Sequence, residues 1–161
     1  MICNATVSDA AALWAVRRAA IQGISTEHYS KAQLNAWRDE RTVHSYVPPI
    51  REKVLLVAEF QGKVIGYAQL DPKLHVVQAL YVHPQYSGNG IGIALLQDLE
   101  SQAQSLGILE LHLESSLNAV GFYVKAGYRQ YTPSPNESHP LPASESIAMV
   151  RILAVKDVAQ R

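Results

Sequence analysis

The chain has little cysteine and no excess of charge of either sign. Its 161 residues include one cysteine, Cys3, so a disulfide within the chain is excluded. Lysine plus arginine and aspartate plus glutamate number 14 each, which gives a formal net charge of zero, and no block of like charges occurs. This balance argues against nucleic acid or an acidic membrane surface as a partner. No apolar stretch reaches the length of a transmembrane helix.

Metal and targeting signals are also missing. The six histidines lie at positions 28, 44, 75, 83, 112 and 139, and none forms a pair at metal-ligand spacing, so we expect no metal. The first six residues lack the basic and apolar regions of a secretory signal, which predicts a cytoplasmic protein. A chain of this length with 48% hydrophobic residues suits one well-buried domain over residues 1–161.

Three alternating glycines, Gly88, Gly90 and Gly92, form the most informative segment. Residues 76–82 before them are rich in β-branched and aromatic side chains, which predicts a strand that ends at Pro84. Apolar residues recur at helical spacing after them until Gly107 supplies a stop. Backbone N–H groups in a glycine turn, together with the positive end of the helix dipole, bind phosphate oxygens. The sequence therefore predicts a phosphate site between a strand and a helix.

Spacing separates the phosphate-binding families. A P-loop requires Gly-Lys-Ser/Thr, but Ile93 follows Gly92 here, which excludes it. A dinucleotide-binding turn requires G-x-G-x-x-G, which the alternating glycines do not match, although Glu110 and Glu114 follow at a suitable distance. Gln85, Gly88 and Gly90 fit Gln/Arg-x-x-Gly-x-Gly/Ala. This pattern resembles the coenzyme A pyrophosphate loop of the GNAT acyltransferase superfamily.

A second segment carries the resemblance independently. Residues 109–114 alternate like a strand, and a short helix is predicted over 115–128 with Gly127 near its end. The corresponding GNAT helix carries an Ala, then Phe/Leu-Tyr, then Gly-Phe/Tyr, which are matched by Ala119, Phe122, Tyr123, Gly127 and Tyr128. The chain departs from the family at Ser116, where an Asn is frequent, and Asn118 lies two positions later. The resemblance leaves open which of these two contacts coenzyme A.

The remaining elements are predicted from hydrophobic periodicity and from the positions of glycine, proline and helix-capping residues. Strands are predicted over 2–7, 54–60, 63–70, 128–131 and 146–153, with a tight turn at Gln61-Gly62. Helices are predicted over 9–22 after Ser8 and over 31–38 after a capping box at Ser30, with a break at Pro48-Pro49 and a loop over 132–145. The order β-α-α-β-β-β-α-β-α-β-β is the one that the resemblance implies: an α/β (α+β) GNAT fold, one domain with a mixed central sheet of about seven strands.

The resemblance implies an N-acetyltransferase that moves an acetyl group from acetyl-CoA to a primary amine by direct attack in a ternary complex. Tyr123 is then the acid that protonates the departing thiolate. The residues expected to contact coenzyme A are Leu80, Tyr81, Val82, Gln85, Ser87, Gly88, Asn89, Gly90, Ile91, Gly92, Ile93, Ser116, Asn118 and Tyr123.

The general base is not fixed by the sequence. Many GNAT members have a glutamate on the strand before the glycine loop, where this chain has Val76. His75 is our first choice because imidazole titrates near neutral pH. Glu59, Glu114 and a water chain without a dedicated base stay open.

The acceptor is a small-molecule or peptide amine, expected to contact His28, Tyr29, Gln78 and Glu114. Trp37 and His139 lie in segments that wall the acceptor site in the family.

Two alternative functions remain: a coenzyme A-binding sensor without catalysis, and a GNAT-fold enzyme that uses a longer acyl-CoA. The sequence does not determine the oligomeric state, and a homodimer is one of the open alternatives.

Overall fold

The computed structural model describes residues 1–134 and 146–154, which form a seven-stranded mixed sheet with helices on both faces. The strands are β1 (Ile2–Asn4), β2 (Leu55–Phe60), β3 (Lys63–Asp71), β4 (Val76–Val82), β5 (Glu110–Ser116), β6 (Arg129–Gln130) and β7 (Ser146–Ile152). The helices are α1 (Ala10–Gln22), α2 (Lys31–Arg38), α3 (Val47–Arg51), α4 (Ile91–Ser105) and α5 (Val120–Lys125). The order across the sheet is β1-β2-β3-β4-β5-β7-β6.

Alternation along β2 shows how the two layers form. Leu55 and Val57 pack with Leu13 and Tyr46, on the face covered by α1 and α3. Leu56 lies on the opposite face, in the cluster that includes the buried residues of α4. Successive side chains of a strand point to opposite faces, so this apolar strand is buried on both sides.

One junction in the sheet positions the site. β4 and β5 are the parallel pair, and their register records one partnered pair, Val76 with His112. The His112 N–H also donates to the His75 carbonyl at 2.9 Å. Beyond this point the two strands separate toward their carboxyl ends. A bulge in the register of β3 with β4, between Gln69↔Ala79 and Leu70↔Val77, leaves Gln78 as the extra residue next to the gap.

The predicted element order is confirmed apart from the added helix α3, and three local predictions are wrong. The first strand ends at Asn4, and a 3-10 turn, Val7–Asp9, precedes α1 because Asp9 accepts from the Thr6 N–H at 2.8 Å. Pro48 and Pro49 lie in the first turn of α3 instead of breaking the chain, since no N–H is needed there. β5 extends to Ser116 and a 3-10 turn follows, so α5 begins only at Val120.

The predicted loop over 132–145 and the expected absence of a transmembrane helix can be compared only with the described residues. Most of the predicted loop over 132–145, including His139, lies outside the described residues. Among the described helices, none combines the length and the apolar character that crossing a membrane requires.

Candidate functional site

A cleft of about 980 Å³ occupies the gap between β4 and β5. Its floor is β4 itself, and its walls come from α1 and α2 on one side and from β5 and α5 on the other. The glycine turn reaches its rim through Ser87 and Gly92. The separation of the two strands therefore creates the concave surface, and the predicted phosphate turn lies at one end of it.

The glycine turn presents a row of main-chain donors. Gly88 and Gly90 have φ of +80° and +79°, which favours glycine, and a Cβ on either would meet no atom within 4 Å. The N–H groups from Gly88 to Ile93 make no hydrogen bond within the described part of the chain. Six consecutive donors at the start of a 15-residue helix are an arrangement that can bind phosphate oxygens.

Gly92 has a different role from the two glycines before it. A Cβ at this position would lie 3.3 Å from the Phe122 ring and 3.7 Å from Val82. Its missing side chain lets α5 pack against the start of α4 and the end of β4. This contact holds Tyr123, the next residue of α5, against the cleft.

Tyr123 combines a buried ring with a hydroxyl at the cleft. The side chain lines the cleft, and its ring packs edge-on against Phe122 and Tyr128, with centroids 5.1 and 5.8 Å away. Burial raises the pKa of Tyr123 above its ordinary value, and Tyr81 adds to the shift. Its hydroxyl makes no hydrogen bond to any described residue. The arrangement holds a neutral phenol that can donate a proton into the cleft.

An aromatic wall closes the side of the cleft formed by α1 and α2. The rings of Tyr29 and Trp37 are 5.8 Å apart and those of Trp37 and Tyr81 are 6.4 Å apart. The Tyr29 hydroxyl accepts from the Leu117 N–H at 3.0 Å and so joins this wall to the end of β5. Arg17 donates to the Trp37 and Arg38 carbonyls at 3.0 and 3.1 Å, which holds the last turn of α2 in place.

Arg41 and Gln69 also line the cleft, and no motif in the sequence pointed to them. Arg41 follows α2 and donates through Nη2 to Gln69 Oε1 at 3.0 Å and through Nε to Ser45 Oγ at 3.0 Å. Its guanidinium carbon lies 3.8 Å from the centroid of the Tyr46 ring. The contact with Gln69 joins residues 28 positions apart in the chain, so local patterns could not reveal it.

The structure separates the predicted acceptor and base residues into two groups. Tyr29, Gln78 and Glu114 line the cleft, and Glu114 Oε2 accepts from Ser146 Oγ at 2.8 Å. His28 is exposed in the turn after α1 and is not part of the lining.

Two of the base candidates lie away from the cleft. His75 is exposed in the turn before β4, with φ of +56°. Its side chain does not line the cleft. Glu59 lies near the end of β2 and is also absent from the lining. This placement argues against His75 and Glu59 as bases.

The residues expected to contact coenzyme A fall into two sets. Those lining the cleft are Leu80, Tyr81, Val82, Ser87, Gly92, Ser116, Asn118 and Tyr123. Those in the turn and the start of α4, beyond the lining, are Gln85, Gly88, Asn89, Gly90, Ile91 and Ile93. Ser116 and Asn118 both face the cleft, so the geometry does not choose between them. Over the described ranges, no cluster of three or more His, Cys, Asp or Glu side chains is arranged to hold a metal ion.

Curated relatives match part of the chain. Glucosamine 6-phosphate N-acetyltransferase of Trypanosoma brucei brucei is 33% identical over 79 residues, which cover 44% of this chain and 54% of that protein. L-amino acid N-acyltransferase MnaT of Escherichia coli is 34% identical over 110 residues, with 56% and 58% covered. The chain thus spans about half the length of the curated relatives it matches.

Solved structures match nearly the whole chain. A GCN5-related N-acetyltransferase from Rhodopseudomonas palustris has a TM-score of 0.79 and 29% identity, with 95% of each chain covered. The PaiA N-acetyltransferase of Thermoplasma acidophilum, solved in complex with coenzyme A, has a TM-score of 0.80 and 22% identity, with 94% of this chain and 98% of that one covered. The family model of the acetyltransferase (GNAT) domain matches residues 25–140. This match covers more than half of the sequence, and the chain belongs to the GNAT acetyltransferase family.

Proposed function

We propose that the protein is an N-acetyltransferase that transfers the acetyl group of acetyl-CoA to a primary amine by direct attack in a ternary complex. The observation that carries the proposal is the row of N–H groups from Gly88 to Ile93, at the rim of the cleft, that bond to none of the described residues. The coenzyme A bound to the Thermoplasma relative and the names of the curated relatives support it.

The pyrophosphate would bind at the glycine turn. The N–H groups of the turn and the first turn of α4 converge where the helix dipole favours negative charge. Gln85, Ser87 and Asn89 are exposed beside them, and their side chains supply further polar contacts. No lysine is required because the donors are main-chain groups.

The pantetheine arm would lie along the open edge of β4. The His83 N–H donates to the Ile65 carbonyl of β3 at 2.8 Å. In an antiparallel pair, every second residue directs its N–H and C=O toward the neighbouring strand. Tyr81 and Ala79 therefore direct their main-chain groups toward β3, whereas Leu80 and Val82 direct theirs into the gap. The amide groups of the arm pair with Leu80 and Val82 as an added strand would. Tyr81 contributes its ring instead of its main chain.

Transfer then takes place at the end of the arm. The amine nitrogen attacks the thioester carbon, and a main-chain N–H of β4 that faces the gap and is not paired with the arm stabilises the oxygen that becomes negative. Collapse of the intermediate breaks the C–S bond, and the thiolate takes a proton from the Tyr123 hydroxyl. The raised pKa of Tyr123 keeps this hydroxyl protonated across the working pH range.

The amine must lose a proton before it attacks. Glu114 is the base that the geometry favours because it lines the cleft on β5, across the gap from β4. The Ser146 hydroxyl holds one of its oxygens and fixes the carboxylate. The carboxylate also attracts an ammonium group, so it both holds the acceptor and accepts its proton, directly or through a water molecule.

Two measurements test the proposal. Calorimetric titration with acetyl-CoA, with NAD and ATP as controls, should give micromolar binding of acetyl-CoA alone. Release of free thiol from acetyl-CoA should then accelerate when amines are added. Binding without amine-dependent release would favour a silent sensor, and faster release from a longer acyl-CoA would change the donor. Absence of binding would refute the assignment of the glycine turn.

A further inference from the structure

We propose that Arg41 and Gln69 form an anion subsite, so that the acceptor is an amine that also carries a carboxylate or a phosphate group. The inference rests on the proposed transferase function and names the substrate class of the same cleft. Both residues line the cleft, and neither belongs to the motifs that identify the coenzyme site.

Arg41 is held as a fixed donor. Its Nε donates to Ser45 Oγ at 3.0 Å, its Nη2 donates to Gln69 Oε1 at 3.0 Å, and its guanidinium lies over the Tyr46 ring. The backbone is fixed as well, because Trp14 Nε1 donates to the Arg41 carbonyl at 3.2 Å. A guanidinium that is already oriented loses little side-chain entropy when it binds an anion.

Several donors of this pair remain unused. Among the described residues, Nη1 of Arg41 and Nε2 of Gln69 make no hydrogen bond. Each nitrogen carries two hydrogens, so four N–H donors are available beside the cleft. Gln69 gives its oxygen to Arg41, and this orientation leaves its amide nitrogen for a ligand. Carboxylates and phosphates are the groups that need several donors together.

Over residues 1–134 and 146–154, the charge of Arg41 also has no ion-pair partner. Of the cleft arginines, Arg17 has Glu40 Oε2 at 3.6 Å, whereas no described carboxylate forms an ion pair with Arg41. The other carboxylate of the cleft, Glu114, accepts from Ser146. A partly buried cation without a counter-ion favours an anionic ligand.

The sheet places this subsite and Glu114 on opposite sides of β4. Gln69 pairs with Ala79 on the β3 side, and the Val76↔His112 register puts Glu114 level with Gln78 on the β5 side. A ligand with an anionic group and an amine would direct the first to Arg41 and the second to Glu114. The charges of the cleft therefore select both the acceptor and its orientation.

Matched acceptor pairs test the inference. L-phenylalanine is compared with L-phenylalaninamide, and glucosamine 6-phosphate with glucosamine, by thiol release from acetyl-CoA. We expect the anionic member of at least one pair to have a kcat/KM about 10- to 100-fold higher, the range of a charge-assisted hydrogen bond. The pair that shows the difference identifies the group as carboxylate or phosphate.

Variants assign the difference to the subsite. Arg41→Gln should remove the preference by raising KM for the anionic acceptor, with little change for the neutral one, and Arg41→Lys should restore part of it. Arg51→Gln is the matched control, because Arg51 is exposed at the end of α3 and does not line the cleft. Calorimetry with acetyl-CoA verifies that each variant is folded and binds the coenzyme.

The outcomes separate this inference from the proposed function. Equal use of both members of each pair by the unmodified protein, or a preference that survives Arg41→Gln, would overturn the subsite while the transferase function stands. If no amine accelerates thiol release although acetyl-CoA binds, the transferase function fails and the subsite falls with it.

Discussion

Replacing Gly90 by valine should weaken coenzyme binding about 100-fold while the protein still folds. Gly90 is the N-cap of α4 and has φ of +79°, a left-handed conformation that costs an L-residue about 1–2 kcal/mol. A Cβ there would meet no protein atom within 4 Å, so the loss of stability comes from the backbone alone. The new side chain would instead occupy the space above the free N–H groups, where the phosphate is proposed to bind.

The expected loss of affinity follows from the hydrogen bonds displaced. A hydrogen bond to a charged group contributes about 1.5–3 kcal/mol, so displacing two of them removes about 3 kcal/mol or more. This corresponds to a dissociation constant raised about 100-fold. Calorimetry measures the constant directly. Acetyl-CoA at 100 times its dissociation constant should stabilise the unmodified protein by about 2.7 kcal/mol, and this stabilisation should nearly vanish in the variant at the same concentration.

Gly62→Val is the matched control. Gly62 lies in the β2–β3 hairpin turn with φ of +77°, and a Cβ there also meets nothing within 4 Å. Both variants carry the same backbone strain, but Gly62 is not part of the cleft. Near-normal affinity in Gly90→Val would show that the phosphate site is misplaced. An equal loss in Gly62→Val would show that the effect is general destabilisation.

Three further predictions follow from the cleft and the core. Tyr123→Phe should lower kcat about 100-fold and leave acetyl-CoA binding near normal by calorimetry; unchanged kcat would make the hydroxyl a packing group only. Glu114→Gln should lower kcat about 100-fold and leave acetyl-CoA binding near normal by calorimetry, and an unchanged kcat would favour a water chain as base. Burial raises the pKa of Tyr67 and Tyr128, as it does for Tyr123, above the ordinary value of 10.0. The folded chain keeps these phenols neutral while the unfolded chain ionises them, so stability should be full below about pH 10 and fall above it. Urea unfolding at pH 8 to 11 measures this; a constant free energy of unfolding would contradict it.

The fold was predictable where local patterns carry the information. The apolar run in residues 55–60, the positive φ required at Gly62 and the apolar spacing of α4 each depend on neighbours within a few positions. The prolines at positions 48 and 49 misled the prediction because the same residue breaks a helix interior and starts a helix. Only the packing of Ile50 and Tyr46 against the sheet decides between these roles.

The candidate site was predictable only on its coenzyme side. There the chemistry depends on main-chain groups in one continuous segment, so spacing of glycines is sufficient to find them. The acceptor side brings together α2, β3 and β5, and a contact such as Arg41 to Gln69 has no local signature. His75 shows the limit of choosing a base by residue type, since its side chain lies in the turn before β4 and does not line the cleft.

The separation of β4 from β5 links these two sides of the cleft. A fully paired parallel sheet would use the main-chain groups of Leu80 and Val82 within the protein and would leave no room for a thioester. Because the register records one pair at Val76 and His112, these groups stay open to the coenzyme, and Glu114 faces β4 across the gap. The Tyr29 hydroxyl bound to the Leu117 N–H ties the α1–α2 wall to the end of β5.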